Sequence, residues 1–164
     1  MFKKISEDDT ERRRWPTAPK QIMIDNRDFT ANGNPFAFTV NFDDIHGRYM
    51  DVCSAELKAI SFPKVANEMY VVMSIDEING NMDCINTRTD QAFAIVFFDC
   101  QSMATGELKA YKGADFYSKR NTLSPSKNLD KLHITFSKYG GGTITPADTG
   151  GETDVSFIIE LSCS

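Results

Sequence analysis

The sequence predicts an all-β protein built from two antiparallel sheets. Three observations carry this expectation. Short runs such as "FAFTVNF" at 36–42 and "LHITFS" at 132–137 alternate apolar and polar residues, the period of a strand with one buried face. Turn chemistry separates the runs: "TANGNP" at 30–35 and the Gly-rich "KYGGGTITPADTGGE" at 138–152 hold Asn-Gly, Asn-Pro and Gly-Gly steps. No stretch of a dozen residues repeats its apolar positions every 3.6 residues, as an amphipathic helix would. Only 43–49 and 101–109 are helix-friendly, and both are short.

Residues 1–20 come first and belong to neither sheet. They are polar, carry Pro16 and Pro19, and hold six cations against four acids within a chain of net charge -5. Such a segment reads as an arm that orders against a partner. From Gln21 the texture changes, so the domain boundary falls between 1–20 and 21–164. In 36–42, Phe36, Phe38, Val40 and Phe42 share the inward face. In 51–62, Cys53, Ala55, Leu57 and Ala59 alternate with Ser54, Glu56 and Lys58, and Pro63, lacking an N–H, ends or bends the strand. In 69–78, Met69, Val71, Met73 and Ile75 point inward, and Asn79-Gly80 supplies a hairpin signal. The run "FAIVFF" at 93–98 is apolar throughout and reads as a central strand buried on both faces. A weaker strand is expected over 108–117.

Two more alternating strands follow, with Leu132, Ile134 and Phe136 inward in the first and Val155, Phe157, Ile159 and Leu161 inward in the second. Between them, 138–152 reads as a flexible loop. The expected core is Phe38, Val40, Leu57, Val71, Ile75, Ile95, Phe97, Ile134, Phe136, Phe157 and Ile159. Seven or eight strands with turns between them fit a single eight-stranded jelly roll.

Composition excludes several function classes. The longest apolar run, "AFAIVFF" at 92–98, is far short of the roughly 18 residues of a membrane span. The N-terminus has cations but no apolar stretch behind them, so no secretory leader is expected and the setting is cytosolic or nuclear. The 164-residue chain is ordinary in apolar content, at 41%, and suits one domain. Once the arm is set aside the body is acidic, which disfavours binding to a phosphate backbone.

No reactive constellation stands out. Cys53, Cys84, Cys100 and Cys163 form no Cys-x-x-Cys pair, which excludes zinc ribbons and redox motifs and leaves structural thiols. His46 and His133 lie too far apart in sequence for a cupin-like metal pair. "DEINGNMD" at 76–83 misses the calcium-loop register, and "GGGT" at 140–143 lacks the Lys-Ser/Thr of a phosphate-binding loop. The expectation is a protein with no catalytic residues, no metal and no cofactor. The one concentrated feature is Arg12, Arg13, Arg14 and Trp15, a candidate assembly arm: arginine forks bind carboxylates in pairs, and tryptophan is an interface anchor.

Read in order, "MIDNRDFT", "PFAFTVNFDDI", "MDVCSAELKAISFPKVANEMYVVMSIDEI", "AFAIVFFD", "LDKLHITFSKYGGG" and "DVSFIIEL" resemble the single jelly-roll penton and minor capsid proteins of large icosahedral double-stranded DNA viruses of algae and protists. The matching positions are Asp25, Arg27 and Asp28; Phe36 to Phe42; Phe62 and Pro63; Asn67, Glu68 and Tyr70; Leu129, Leu132 and Ile134 with Gly140 to Gly142; and Phe157 to Glu160. The resemblance covers about 21–162. It implies a structural subunit of the virion shell, either the vertex penton or a minor cementing protein, assembled in the host cytoplasm. Its partners would be the major capsid protein, other minor capsid proteins and further copies of itself, a pentamer if it is the penton. It implies no specific nucleic-acid contact and no enzymatic residues. The competing reading is a ligand- or carbohydrate-binding jelly-roll module, which would need an exposed aromatic platform.

Overall fold

In the computed structural model, residues 18–29, 34–42, 49–78, 92–98, 103–112, 116–118 and 120–163 are described. They form ten strands: β1 Lys20–Asp25, β2 Ala37–Asn41, β3 Tyr49–Pro63, β4 Tyr70–Ile75, β5 Ala94–Phe97, β6 Leu108–Lys112, β7 Phe116–Ser118, β8 Asn121–Leu129, β9 Lys131–Lys138 and β10 Ser156–Cys163. Two sheets result. The first runs β1-β10-β3-β6 with β8 also paired to β3, and the second runs β2-β9-β4-β5-β7. Every pairing is antiparallel. The protein is therefore an all-β sandwich.

Aromatic rings fill the space between the layers. Phe62 of β3 lies 4.8 Å from Phe136 of β9, 5.7 Å from Phe36 and 6.3 Å from Phe98, ring centre to ring centre. Phe157 of β10 meets Phe136 at 6.1 Å and Phe38 of β2 at 6.4 Å. Tilted and edge-on contacts of this kind add to the area term, because each ring's positive edge meets a negative face. Both sheets thus contribute phenyl groups to one continuous core.

Polar anchors close the ends. Asn26, in a 3₁₀ turn after β1, is buried and uses its whole amide: Nδ2 donates to the carbonyls of Pro35 (3.1 Å) and Thr153 (2.6 Å), and Oδ1 accepts from the N–H of Val155 at 3.0 Å. It ties the exit of β1 to the approach of β10. At another corner, Lys64 is buried with its ammonium 4.6 Å above the Phe98 ring and bonded to the Glu68 carbonyl. The mostly apolar stem and the ring account for that burial.

The strand count exceeds the expected eight for identifiable reasons. The 108–117 stretch divides into β6 and β7, which join different sheets. β1 begins at Lys20, the last residue assigned to the arm. β8 is polar and contains Pro125. Its ladder with β3 jumps from Ser54↔Thr122 to Val52↔Lys127, so the proline sits in an excursion where no ladder N–H is needed.

Facing differs from expectation at five residues. Cys53 and Ala59 are only partly buried, because β3 carries two bulges against β10: Leu57 and Ala59 pair with consecutive residues Ile159 and Ile158, and Val52 and Ser54 with Cys163 and Ser162. Each bulge shifts the alternation by one residue, so the inward set becomes Val52, Ala55, Leu57, Ile60 and Phe62. Met69 precedes β4 and is 70% exposed. Ile95 and Phe97 point away from the core, with Phe93, Val96 and Phe98 buried in their place. β5 lies second from the edge of its sheet and covers the core with one face only.

The loop expected to be flexible is instead bonded throughout. In the 3₁₀ turn Pro146–Thr149, the Asp148 carboxylate accepts from the N–H and the hydroxyl of Thr145, both at 2.8 Å, and from Lys138 Nζ at 2.7 Å. Of the two helix-friendly stretches, 103–109 holds a turn and the start of β6. Residues 43–48 lie outside the described residues, as do the hairpin signal Asn79-Gly80, His46, Cys84 and Cys100.

Candidate interaction surface on the second sheet

Alternation along β2, β9, β4 and β5 sends one residue in two to the outside of the second sheet. These are Ala37, Thr39 and Asn41; His133, Thr135 and Ser137; Tyr70, Val72 and Ser74; and Ile95 and Phe97, held in register by the pairs Thr39↔His133, Ser74↔Thr135, Val72↔Ile95 and Tyr70↔Phe97. Apart from Lys131 at the first position of β9, no outward residue of these strands is Lys, Arg, Asp or Glu. The strand positions of this face thus carry little fixed charge, which lowers the desolvation cost of covering its apolar end.

The face is graded. At one end, Val72 and Ala92 form a small apolar cluster of their own, outside the main core, with Tyr70 and Ile95 packed over it. Tyr70 sits 5.6 Å from Phe97 and 5.6 Å from Tyr139, ring centre to ring centre, and Phe97 and Tyr139 are 46% and 56% exposed. Beside them Asn67, Glu68, Met69, Tyr70 and Tyr139 line an open hollow of about 440 Å³. Exposed apolar residues scattered singly need no explanation, but contiguous ones mark contact sites.

At the other end the face is polar. Glu77 straps down His133, with Oε1 2.5 Å from Nδ1 and Oε2 accepting the His133 backbone N–H at 2.8 Å. That bond fixes the ring's orientation. A shallow polar hollow lined by Thr39, Asn41, Asp76, His133 and Thr135 lies alongside.

The outside of the first sheet contrasts with this. Its β3–β10 centre carries a charge network: Lys58 bonds Glu56 at 2.9 Å and Glu160 at 3.3 Å, and Arg120 reaches the same two carboxylates at 3.4 Å. Hydrogen bonds from Gln21 and then Lys58 hold the Glu160 carboxyl below its ordinary pKa, and the bond to Glu56 holds Lys58 above its own. Only beyond this network does an apolar groove open, between Met23, Ala59, Ala110 and Ile158.

Arg12, Arg13, Arg14 and Trp15, the candidate arm, lie outside the described residues. His133 is partly exposed, as its alternation with Leu132 and Ile134 implies. Among the described residues, no three of His, Cys, Asp and Glu gather where they could hold a metal ion. No helix among them is long and apolar enough to cross a membrane. The Tyr70–Phe97–Tyr139 cluster went unread in the sequence because 93–98 looked buried on both faces. Its one legible sign is Tyr139, a large aromatic placed beside three glycines in a turn. Neither a scan of protein-family models nor a search of curated proteins finds a match to this chain.

Proposed function

We propose that the chain is a jelly-roll structural subunit of a protein shell, non-enzymatic, working through contacts made by the outer surfaces of its sheets. The strand order supports the jelly-roll assignment. In β1-β10-β3-β6 and β2-β9-β4-β5, successive strands alternate between sheets except at the paired β4 and β5, and the last returns beside the first. β7 and β8 are then additions at the margins.

The observation that carries the functional reading is the outer face of the second sheet, poor in charge along its strands and aromatic at one end. Interfaces are depleted of charge at their centres and enriched in Tyr, Phe and Met, the composition found from Thr39 to Phe97 and Met69. The groove at Met23 supplies a smaller apolar surface on the opposite side, as a subunit with different neighbours on its two faces requires. The resemblance to penton and minor capsid proteins of large icosahedral DNA viruses names the setting: the virion shell, assembled in the host cytoplasm against the major capsid protein, other minor capsid proteins and further copies of the chain. A ring of identical contacts would make it the vertex pentamer, and unlike contacts a cementing subunit.

The competing carbohydrate-binding reading needs rings that lie flat against a sugar. Tyr70 is inclined 56° to Phe97 and 77° to Tyr139. Tyr70 thus shares a plane with neither neighbour, which favours a protein partner.

Mass photometry at several concentrations, with the chain alone and with the major capsid protein, tests the proposal. The wild type should form an oligomer or a complex. A Tyr70→Ser/Phe97→Ser variant should remain monomeric and unbound while keeping its unfolding midpoint, because both side chains lie outside the main core. Wild-type protein that stays monomeric and ignores the capsid protein would overturn the proposal. So would saccharide binding on a glycan array that disappears in the variant.

A further inference from the structure

The margin of the first sheet brings two thiols together. Cys163, at the end of β10, pairs directly with Val52 of β3, and Ser162 pairs with Ser54, which leaves Cys53 as the extra residue of the bulge between them. Val52 and Ala55 are both buried although three residues apart, so the bulge has absorbed one step of the alternation at Cys53. The Cys53 thiol donates to the carbonyl of Ser162 at 3.3 Å, which places its sulfur over β10 one residue from Cys163. Both cysteines are free and partly buried.

We propose that Cys53 and Cys163 are a redox-responsive pair that closes into a disulfide tying β10 to β3. Directly opposed antiparallel residues have Cα atoms about 4.5–5.5 Å apart, and a bulge crowds its extra residue against the same partner. Disulfides span Cα separations of about 4.4–6.8 Å, so the pair can close without moving either strand far. Burial raises the Cys163 thiol above its ordinary pKa against the opposing pull of Lys20, and Cys53 and Asp51 raise it further.

The oxidant is a low-molecular-weight disulfide such as glutathione disulfide. One cysteine thiolate attacks a sulfur of the oxidant and forms a mixed disulfide, expelling one glutathione as thiolate. The second cysteine thiolate attacks the protein sulfur of that mixed disulfide and expels the other glutathione. The protein loses two electrons and two protons, and the oxidant becomes two thiols. In a reducing compartment the pair stays open, and on transfer to oxidising surroundings it closes. β10 lies between β1 and β3, so closure clamps the strand on which that end of the sheet depends. The pair stands independently of the shell reading.

The test uses the full chain, purified with reductant and then equilibrated in glutathione buffers of increasing oxidised fraction. Peptide mapping should find Cys53 linked to Cys163 while Cys84 and Cys100 remain unlinked to either. The oxidised protein should melt roughly 10 °C higher than the reduced form, the size expected when a loop of about 110 residues is closed in the unfolded chain. Cys53→Ser and Cys163→Ser should each abolish the link and the shift. The proposal is overturned if both thiols stay free or carry only separate glutathiones. It is equally overturned if the map joins either one to Cys84 or Cys100, or if the melting shift persists in Cys53→Ser.

Discussion

Gly106→Ala should destabilise the domain by about 2–4 kcal/mol, and the figure can be assembled from the structure. Gly106 has φ +80°, and a Cβ built there would lie 2.5 Å from the carbonyl oxygen of Thr149. The left-handed backbone alone costs an alanine about 1–2 kcal/mol. The clash adds to this, because Thr149 has nowhere to retreat. It is fully buried, its hydroxyl is bonded to the carbonyls of Pro146 (3.1 Å) and Glu152 (2.5 Å), and its own carbonyl accepts from the Glu152 N–H at 3.2 Å. Next to it, the Asp148 carbonyl accepts from Ala66 at 2.8 Å, and Gly106 itself donates to the Lys64 carbonyl at 2.9 Å. Relieving the overlap breaks one or two of these bonds at about 1 kcal/mol each. Urea denaturation reads the result as a midpoint lower by roughly 1–2 M, given a slope of about 2 kcal/mol/M. Gly140→Ala is the matched control, since a Cβ there meets nothing within 4 Å and its φ is not in the left-handed region; it should change stability by less than about 0.5 kcal/mol. If the two variants unfold at the same midpoint, the argument that three loops interlock at Gly106 is refuted.

Phe62→Ala should cost about 3–5 kcal/mol or prevent folding, because Phe62 is fully buried and touches three other core rings; a chemical-denaturation midpoint within error of wild type would contradict the sheet packing described. Asp148 governs part of the acid limb of stability. Bonds from Lys138 and then from the N–H and hydroxyl of Thr145 lower its carboxyl from 3.8 to about 2, so its contribution is complete above the ordinary carboxyl pKa and is lost as the pH falls toward about 2. Asp148→Asn should therefore flatten the midpoint-versus-pH curve between about pH 4 and 2, and an unchanged slope would show that the carboxylate is not engaged.

How much of the fold was legible depended on whether one face of a strand was wet. β2, β9 and β10 alternate strictly, and their inward residues Phe38, Val40, Ile134, Phe136, Phe157 and Ile159 are all buried. Pro63 ends β3, as its missing N–H demands. β5 misled because a second apolar cluster lies on its outer side, so both faces read as core. β8 was invisible because it pairs only with β3 and buries little beyond Asn121, Leu123 and Leu129. The bulges leave no local signature, since they arise from the fit between β3 and β10. The interaction surface was hidden for a related reason: Tyr70, Phe97 and Tyr139 meet only after three separate segments align.

The two bulges in β3 also change what a difference in chain length means. In an ordinary strand, losing a single residue turns every later side chain to the opposite face and exposes half the core. In β3 the extra residues near Cys53 and Lys58 are already surplus to the ladder. Removing Lys58 would leave Leu57 and Ile60 separated by one outward residue, with both still facing inward. The longest strand of the sandwich is thus the one with slack built into it, and its length can drift between descendants of one ancestral chain while the core stays in phase.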